Sequence, residues 1–326
     1  SPWVAFGDML HANIWFWVGF IAFVLAMLAL DLGVFHRSPH EVKPKEAGIW
    51  VAIWVALALA FAAGLYLYAG HEASLTFLTG YVIEESLSAD NIFVMVLIFE
   101  YFRVPKNCQH RVLFYGILGA LVMRGLFIAA GSALISNFHW VLYIFGALLV
   151  VTGIRMAMKR DEEFNGDQNK IVKFVRRVLP MTETFHDKHF FVVEAGRKLA
   201  TPLLLVLILV EVTDLVFAID SIPAIFGVTT DPFLVFTSNI FAVMGLRSLY
   251  FLLAAVVDRF HLLKYGLAII LTFVGFKMLS DHFLDIGIGI SLAVILGVLA
   301  SSIIASLIWP ARTSPAGHST SHGQPQ

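Results

Sequence analysis

The sequence predicts an all-α, polytopic membrane protein, a helix bundle of about nine transmembrane helices that contains an inverted three-helix repeat. Three observations carry this. The 326-residue chain is 59% hydrophobic and only 14% charged, where an average soluble domain carries about 25% charged residues, and its mean hydropathy is +0.83. Apolar stretches long enough to cross a bilayer recur along its length. Lysine and arginine fall in every second connection between those stretches and in none of the others.

The spanning stretches cover 13–35, 48–69, 75–100, 112–134, 138–158, 200–223, 232–256, 262–280 and 286–309. This divides the chain into two N-terminal helices (1–74), a first three-helix repeat (75–158), a basic loop (159–199), a second, inverted repeat (200–280), a last helix (281–310) and a Ser-, Pro-, Gly- and His-rich tail (311–326). The tail has the composition of a disordered segment, and His318 and His322 in it reflect that composition rather than a metal site.

Arg37, Lys43, Lys45, Arg103, Lys106, Arg111, the cluster from Lys159 to Lys198, Arg259, Lys264 and Arg312 share one side. By the positive-inside rule that side is cytoplasmic, with the N-terminus outside and the C-terminus inside. Within the basic loop, Ile171, Val172, Phe174, Val175, Val178 and Leu179 interleave with Lys170, Lys173, Arg176 and Arg177. That pattern reads as a short amphipathic helix, either lying on the inner leaflet or solvated as an ordinary linker. The net charge of −1 gives no sign of a nucleic-acid partner, and the single cysteine, Cys108, excludes an internal disulfide framework and an all-cysteine metal site. The sequence leaves the oligomeric state open.

The third to fifth helices match the sixth to eighth. Glu84 and Asp90 overlay Asp214 and Asp220, with Asn91 on Ser221; each following helix carries one arginine, Arg124 and Arg247. In the third helix of each unit a tyrosine precedes a Gly-X-basic-Met motif by the same interval, Tyr143 to Gly153-Ile154-Arg155-Met156 and Tyr265 to Gly275-Phe276-Lys277-Met278. Three helices is an odd number, so the second copy enters the membrane from the opposite side. Inverted repeats with polar residues in corresponding helices are the pattern of secondary transporters, whose site lies at the repeat interface near the midplane.

Each ionisable group inside a spanning helix costs about 2.5–3.5 kcal/mol on insertion scales. Glu84, Glu85, Asp90, Glu211, Asp214 and Asp220 therefore need a reason to be there. Buried pairing with Arg124 and Arg247 explains only part of the set, because two arginines cannot neutralise four to six acids. The four repeat-matched acids against two arginines leave two negative charges, which a divalent cation would cancel. Carboxylates with the Asn91 carbonyl and the Ser221 hydroxyl make a hard oxygen site, suited to Mn²⁺, Mg²⁺ or Ca²⁺. A proton relay would use similar residues. The six-residue spacing turns about 600° on a continuous helix and sends the paired acids to different faces. A break in the sixth helix between Asp214 and Pro223, and in the third between Glu84 and Asp90, is therefore expected, since Pro223 lacks an amide hydrogen and clashes with the carbonyl of Ile219.

The segments Glu84-Glu85-Ser86-Leu87-Ser88-Ala89-Asp90-Asn91 and Glu211 through Ile225, with Ser238-Asn239 and Gly245-Leu246-Arg247, resemble the TerC family of integral membrane proteins, nearest to its Alx-like branch. The resemblance runs from Asp31 to the last helix. It implies a bacterial cytoplasmic (inner) membrane protein, tied to tellurium resistance by name and to manganese export by function, within a wider group of cation exporters. It also implies that Glu84, Asp90, Asn91, Glu211, Asp214 and Asp220 hold the family's acidic motif positions, while Glu85 stands where relatives can carry Lys.

The expected function is divalent cation transport, Mn²⁺ efflux first, with the cation as cargo, no tightly bound cofactor and no enzymatic activity. Metal contacts are expected from Glu84, Asp90, Asn91, Glu211, Asp214, Asp220 and Ser221, supported by Arg124 and Arg247. The alternative is a non-transporting scaffold or sensor in metal or tellurite stress, which gives no reason for acids at the midplane. An intramembrane aspartyl protease is disfavoured because Gly166-Asp167 lies in the basic loop and no spanning stretch contains a Gly-Asp pair. Tellurite as cargo would face a net negative site.

Overall fold

A computed structural model describes residues 14–35, 44–158, 166, 168–186, 189–194, 196–254, 260, 262–280, 283–284 and 286–309. Among them are nine long helices: α1 (Ile14–Phe35), α2 (Pro44–Ala69), α3 (His71–Tyr101), α4 (Lys106–Asn137), α5 (Val141–Met158), then, after a short α6 (Lys170–Val178), α7 (Pro202–Phe226), α8 (Pro232–Leu253), α9 (Leu263–Ser280) and α10 (Ile288–Ile308). Seven of them, α2, α4, α5 and α7 to α10, are long and apolar enough to cross a membrane. The other two, α1 and α3, are compatible with the expected nine. The expectations for the tail and for Arg37, Lys43 and Arg259 lie outside the described residues.

Helix ends follow local chemistry. The connection expected over 69–74 shrinks to Gly70, whose φ of +92° suits a residue without Cβ. Asp231 caps α8, accepting from the amides of Phe233 (2.8 Å) and Leu234 (3.2 Å), with Pro232 at its first position. Asn169 does the same for α6 through the amide of Ile171 at 2.8 Å. The basic loop also holds a hairpin that its composition did not announce, β1 (Phe191–Glu194) against β2 (Arg197–Ala200), antiparallel and turning through Gly196 at φ +77°.

The core is organised around α8, of which every residue from Phe233 to Ser248 except Phe236 is buried. Around it pack α2, α3 and α4, and an aromatic cluster of Phe20, Phe61, Phe77 and Phe241 fills the space between them; Phe61 lies 4.9 Å from Phe77 and 5.1 Å from Phe241. Large apolar residues such as Leu67, Leu126 and Ile308 are exposed on outer faces, as lipid contact requires.

The expected breaks are absent: α3 and α7 run unbroken through Glu84–Asp90 and Asp214–Pro223. Pro223 removes only its own amide bond, and three helical residues follow it. Lone prolines of this kind are tolerated where neighbouring helices cover the freed carbonyl. The helices deal with the six-residue spacing by sending the two acids of each pair to different surroundings.

The acid-bearing helices α3 and α7 touch each other, and each packs on the second helix of the other half, α3 on α8 and α7 on α4. The third helices, α5 and α9, cross at glycines. A Cβ on Gly275 would stand 2.6 Å from the Gly146 carbonyl oxygen, and one on Gly153 2.7 Å from that of Ala268. The shift that carries Tyr143 onto Tyr265 carries Gly146 onto Ala268 and Gly153 onto Gly275, so the two close contacts exchange with each other. This is compatible with an inverted repeat. Backbone cannot yield as a side chain can, so Gly275→Leu is expected to cost about 1–3 kcal/mol or more. Melting in detergent measures it, with Gly297→Leu, where nothing lies within 4 Å, as the unaffected control; equal melting of the two would remove the crossing as a constraint.

Candidate metal centre

Glu84 on α3 and Asp214 on α7, both buried, are joined by one side chain, Arg124 from α4. Its guanidinium donates through Nε to Asp214 Oδ2 at 3.2 Å and through Nη2 to Asp214 Oδ1 at 2.8 Å, the paired geometry that a planar fork gives a carboxylate. Nη1 donates to Glu84 Oε1 and, at 3.2 Å, to Asn239 Oδ1. Asn239 on α8 returns a bond from Nδ2 to Glu84 Oε2 at 3.1 Å. Asn91 Nδ2 donates to Asp214 Oδ1 at 2.9 Å. Four helices thus converge on one buried polar cluster.

Helical phase explains the membership. Glu84 and Asn91 lie seven residues apart, two turns, so they share a face of α3; Asp214 and Ser221 share a face of α7 for the same reason. Glu211 stands one turn before Asp214 on that face. Its carboxylate rests against α4 where Gly119 leaves room, since a Cβ there would collide with it.

Two carboxylates against one guanidinium leave one net negative charge, and Glu211 adds another. Three buried oxygens of the expected site, Asn91 Oδ1, Glu211 Oε2 and Ser221 Oγ, have no hydrogen-bond partner among the described residues. The Asn91 amide is oriented by its bond to the acceptor-only Asp214, so its carbonyl oxygen is the atom left over.

The remaining expected residues lie elsewhere. Asp220, six residues past Asp214, is part-buried and accepts from Thr152 Oγ1 of α5 at 3.0 Å. Asp90 is likewise part-buried, away from Glu84's face. Arg247 is buried on α8, about 12 Å along the helix from Asn239. Glu85 accepts from Tyr81 OH at 2.9 Å. Ser86 Oγ donates to the carbonyl of Val82, one turn back. Among the described residues no three His, Cys, Asp or Glu side chains come together as a metal-holding group, so the cluster is one of mixed carboxylate and amide oxygens with a guanidinium between them.

Comparison with known proteins agrees with this architecture. The model of the "Integral membrane protein TerC family" matches residues 69–314. The chain belongs to the TerC family.

Its relatives include the uncharacterized membrane protein STKORF319 of Myxococcus xanthus, 56% identical over 90% of this chain and 92% of that one. The proposed membrane-bound redox modulator Alx of Escherichia coli (strain K12) is 50% identical over 88% of this chain and 92% of its own, which supports the Alx-like branch. An uncharacterized membrane protein of Rickettsia felis is 40% identical over 90% of this chain and 97% of that one. No solved structure matches. This TerC protein adds Asn239 and Thr152 to the polar interior. Asn239 stood in the Ser238-Asn239 pair and could have been counted from its position in mid-span; Thr152 carries no comparable signal.

Proposed function

We propose that this TerC protein carries a hard divalent cation, Mn²⁺ foremost, out across the bacterial cytoplasmic membrane through the Glu84–Asn91–Asp214 cluster. The observation that carries the reading is a buried set of oxygens with unused acceptor capacity, Asn91 Oδ1 and Glu211 Oε2, beside carboxylates that one arginine does not neutralise. Oxygen donors of this type favour Mn²⁺, Mg²⁺ or Ca²⁺. A cavity of 580 Å³, lined in part by Glu72, Thr76, Thr229, Thr230 and Lys277, opens at the end of the bundle away from the basic loop. Thr76, Gly80 and Glu84 follow from it at four-residue steps down α3. The positive-inside pattern makes this the outer end.

The name of the Escherichia coli relative points to redox modulation, but this chain has one cysteine, Cys108, and so no intrachain dithiol couple. The test is flux. Protein reconstituted in liposomes around a Mn²⁺-quenched dye is expected to admit Mn²⁺, and Glu84→Gln to slow it about tenfold or more. Absence of flux for Mn²⁺, Mg²⁺ and Ca²⁺ alike would leave the scaffold reading. In cells, Thr230→Cys is expected to react with an impermeant thiol reagent from outside; protection there with reaction at Thr184→Cys would reverse the orientation.

A further inference from the structure

Helix α6 has three faces rather than two. Wound at about 100° per residue, Val172 and Val175 fall on one side, buried at 2% and 6% exposure in the cluster that includes Leu203 and Val206 of α7. Phe174 and Val178 fall on a second side, within about 40° of each other, and are 66% and 59% exposed. Lys170, Lys173 and Arg177 occupy a third, spread over about 60° next to the exposed apolar pair, and all three are exposed. A linker helix that faced only water would need the first and third faces. The second has no use in solvent.

The position of α6 gives that face a neighbour. The chain leaving α6 bridges back through Met181 to Ala200, the last residue of β2, and Thr182 donates its amide to the Ala200 carbonyl at 2.9 Å. Pro202, two residues on, begins α7. Phe190, at the foot of the hairpin, is held against α4 by the Arg111 guanidinium, 5.0 Å above its ring, and by Tyr115 at 5.3 Å. So α6 is fixed at the level where two spanning helices emerge, with its axis position set by the protein and not by a flexible tether.

An exposed aromatic and valine flanked by three cations at that level match an anionic leaflet, with ring and methyls at the acyl boundary and ammonium and guanidinium groups among the headgroups. We propose that α6 is a docking surface for anionic phospholipid headgroups. It does not depend on the transport reading.

The test uses the full chain with Cys108, which is buried, replaced by Ala and Phe174→Cys labelled with an environment-sensitive fluorophore. The protein is placed in nanodiscs of phosphatidylcholine alone or mixed with phosphatidylglycerol. The expected result is a blue-shifted emission and protection from iodide in the mixed discs, reversed by high salt. Lys170→Gln, Lys173→Gln and Arg177→Gln together should abolish the difference, each charge contributing about fivefold to lipid affinity. A label at Thr184→Cys stays open to iodide throughout. Equal iodide quenching at position 174 in both lipids, or equal protection in both, would overturn the proposal, since neither depends on headgroup charge. Gel filtration of the triple variant identifies misfolding, and in that case each single Gln variant is read in its place.

Discussion

Arg124→Ala is expected to lower the stability of the protein by about 3–5 kcal/mol, the cost of leaving a buried ion pair with one partner missing. Here the loss strands two carboxylates, Glu84 and Asp214, and takes the donor from Asn239 Oδ1 as well. Lysine is no substitute: its three donors issue from one nitrogen and cannot span acceptors on α3, α7 and α8. Combining Arg124→Ala with Glu84→Gln and Asp214→Asn removes the stranded charges, so the triple variant should melt higher than the single one, a coupling of the kind expected within one hydrogen-bonded network. Melting temperature and folded yield in detergent read this out. An Arg124→Ala protein as stable as the parent would mean that the cluster is open to water.

Asp214→Asn and Asp220→Asn are expected to separate although both remove one repeat-matched acid. Asp214 accepts from Arg124 and Asn91 in the buried cluster, next to the unused oxygens of Asn91 and Glu211. Its amide should keep the size and the fold but reduce Mn²⁺ flux at least about tenfold. Asp220 faces Thr152 from a part-buried position on another side of α7, and an amide there still accepts that hydroxyl. Its flux should stay within about twofold of the parent, a change too small to report a lost cation ligand. Liposome flux at matched protein content distinguishes the two; equal loss would return Asp220 to the ion path.

Hydropathy carried the fold because it acts over whole segments: a spanning helix needs about twenty apolar residues whatever it packs against. The same reasoning could not find the hairpin, whose four-residue strands lie in a loop where no long period develops. The acidic residues announced the buried polar cluster by their cost, and the arginine on α4 was visible as their partner. What misled was spacing. Glu84 to Asp90 and Asp214 to Asp220 invited a break that would bring like to like, whereas the intact helices use the seven-residue pairs, Glu84 with Asn91 and Asp214 with Ser221, to form one face each. That choice depends on whether Pro223 stops a helix, which its tertiary neighbours decide. Asn239 belongs to the second helix of the opposite half, and only the packing of α3 on α8 brings it to Glu84.

The guanidinium between Glu84 and Asp214 is a cation that cannot be diluted. An ion entering the cluster competes with a tethered rival, and its apparent dissociation constant rises by the reciprocal of the fraction of molecules in which the rival has swung aside. A site of intrinsically tight oxygen ligands then fills only when the ion is abundant. Under the proposed export of a required metal that sets a threshold: scarcity leaves the internal cation in possession, and excess displaces it. The concentration at half-maximal flux should therefore fall in Arg124→Lys, whose single ammonium holds the two carboxylates less firmly, even if the maximal rate falls with it.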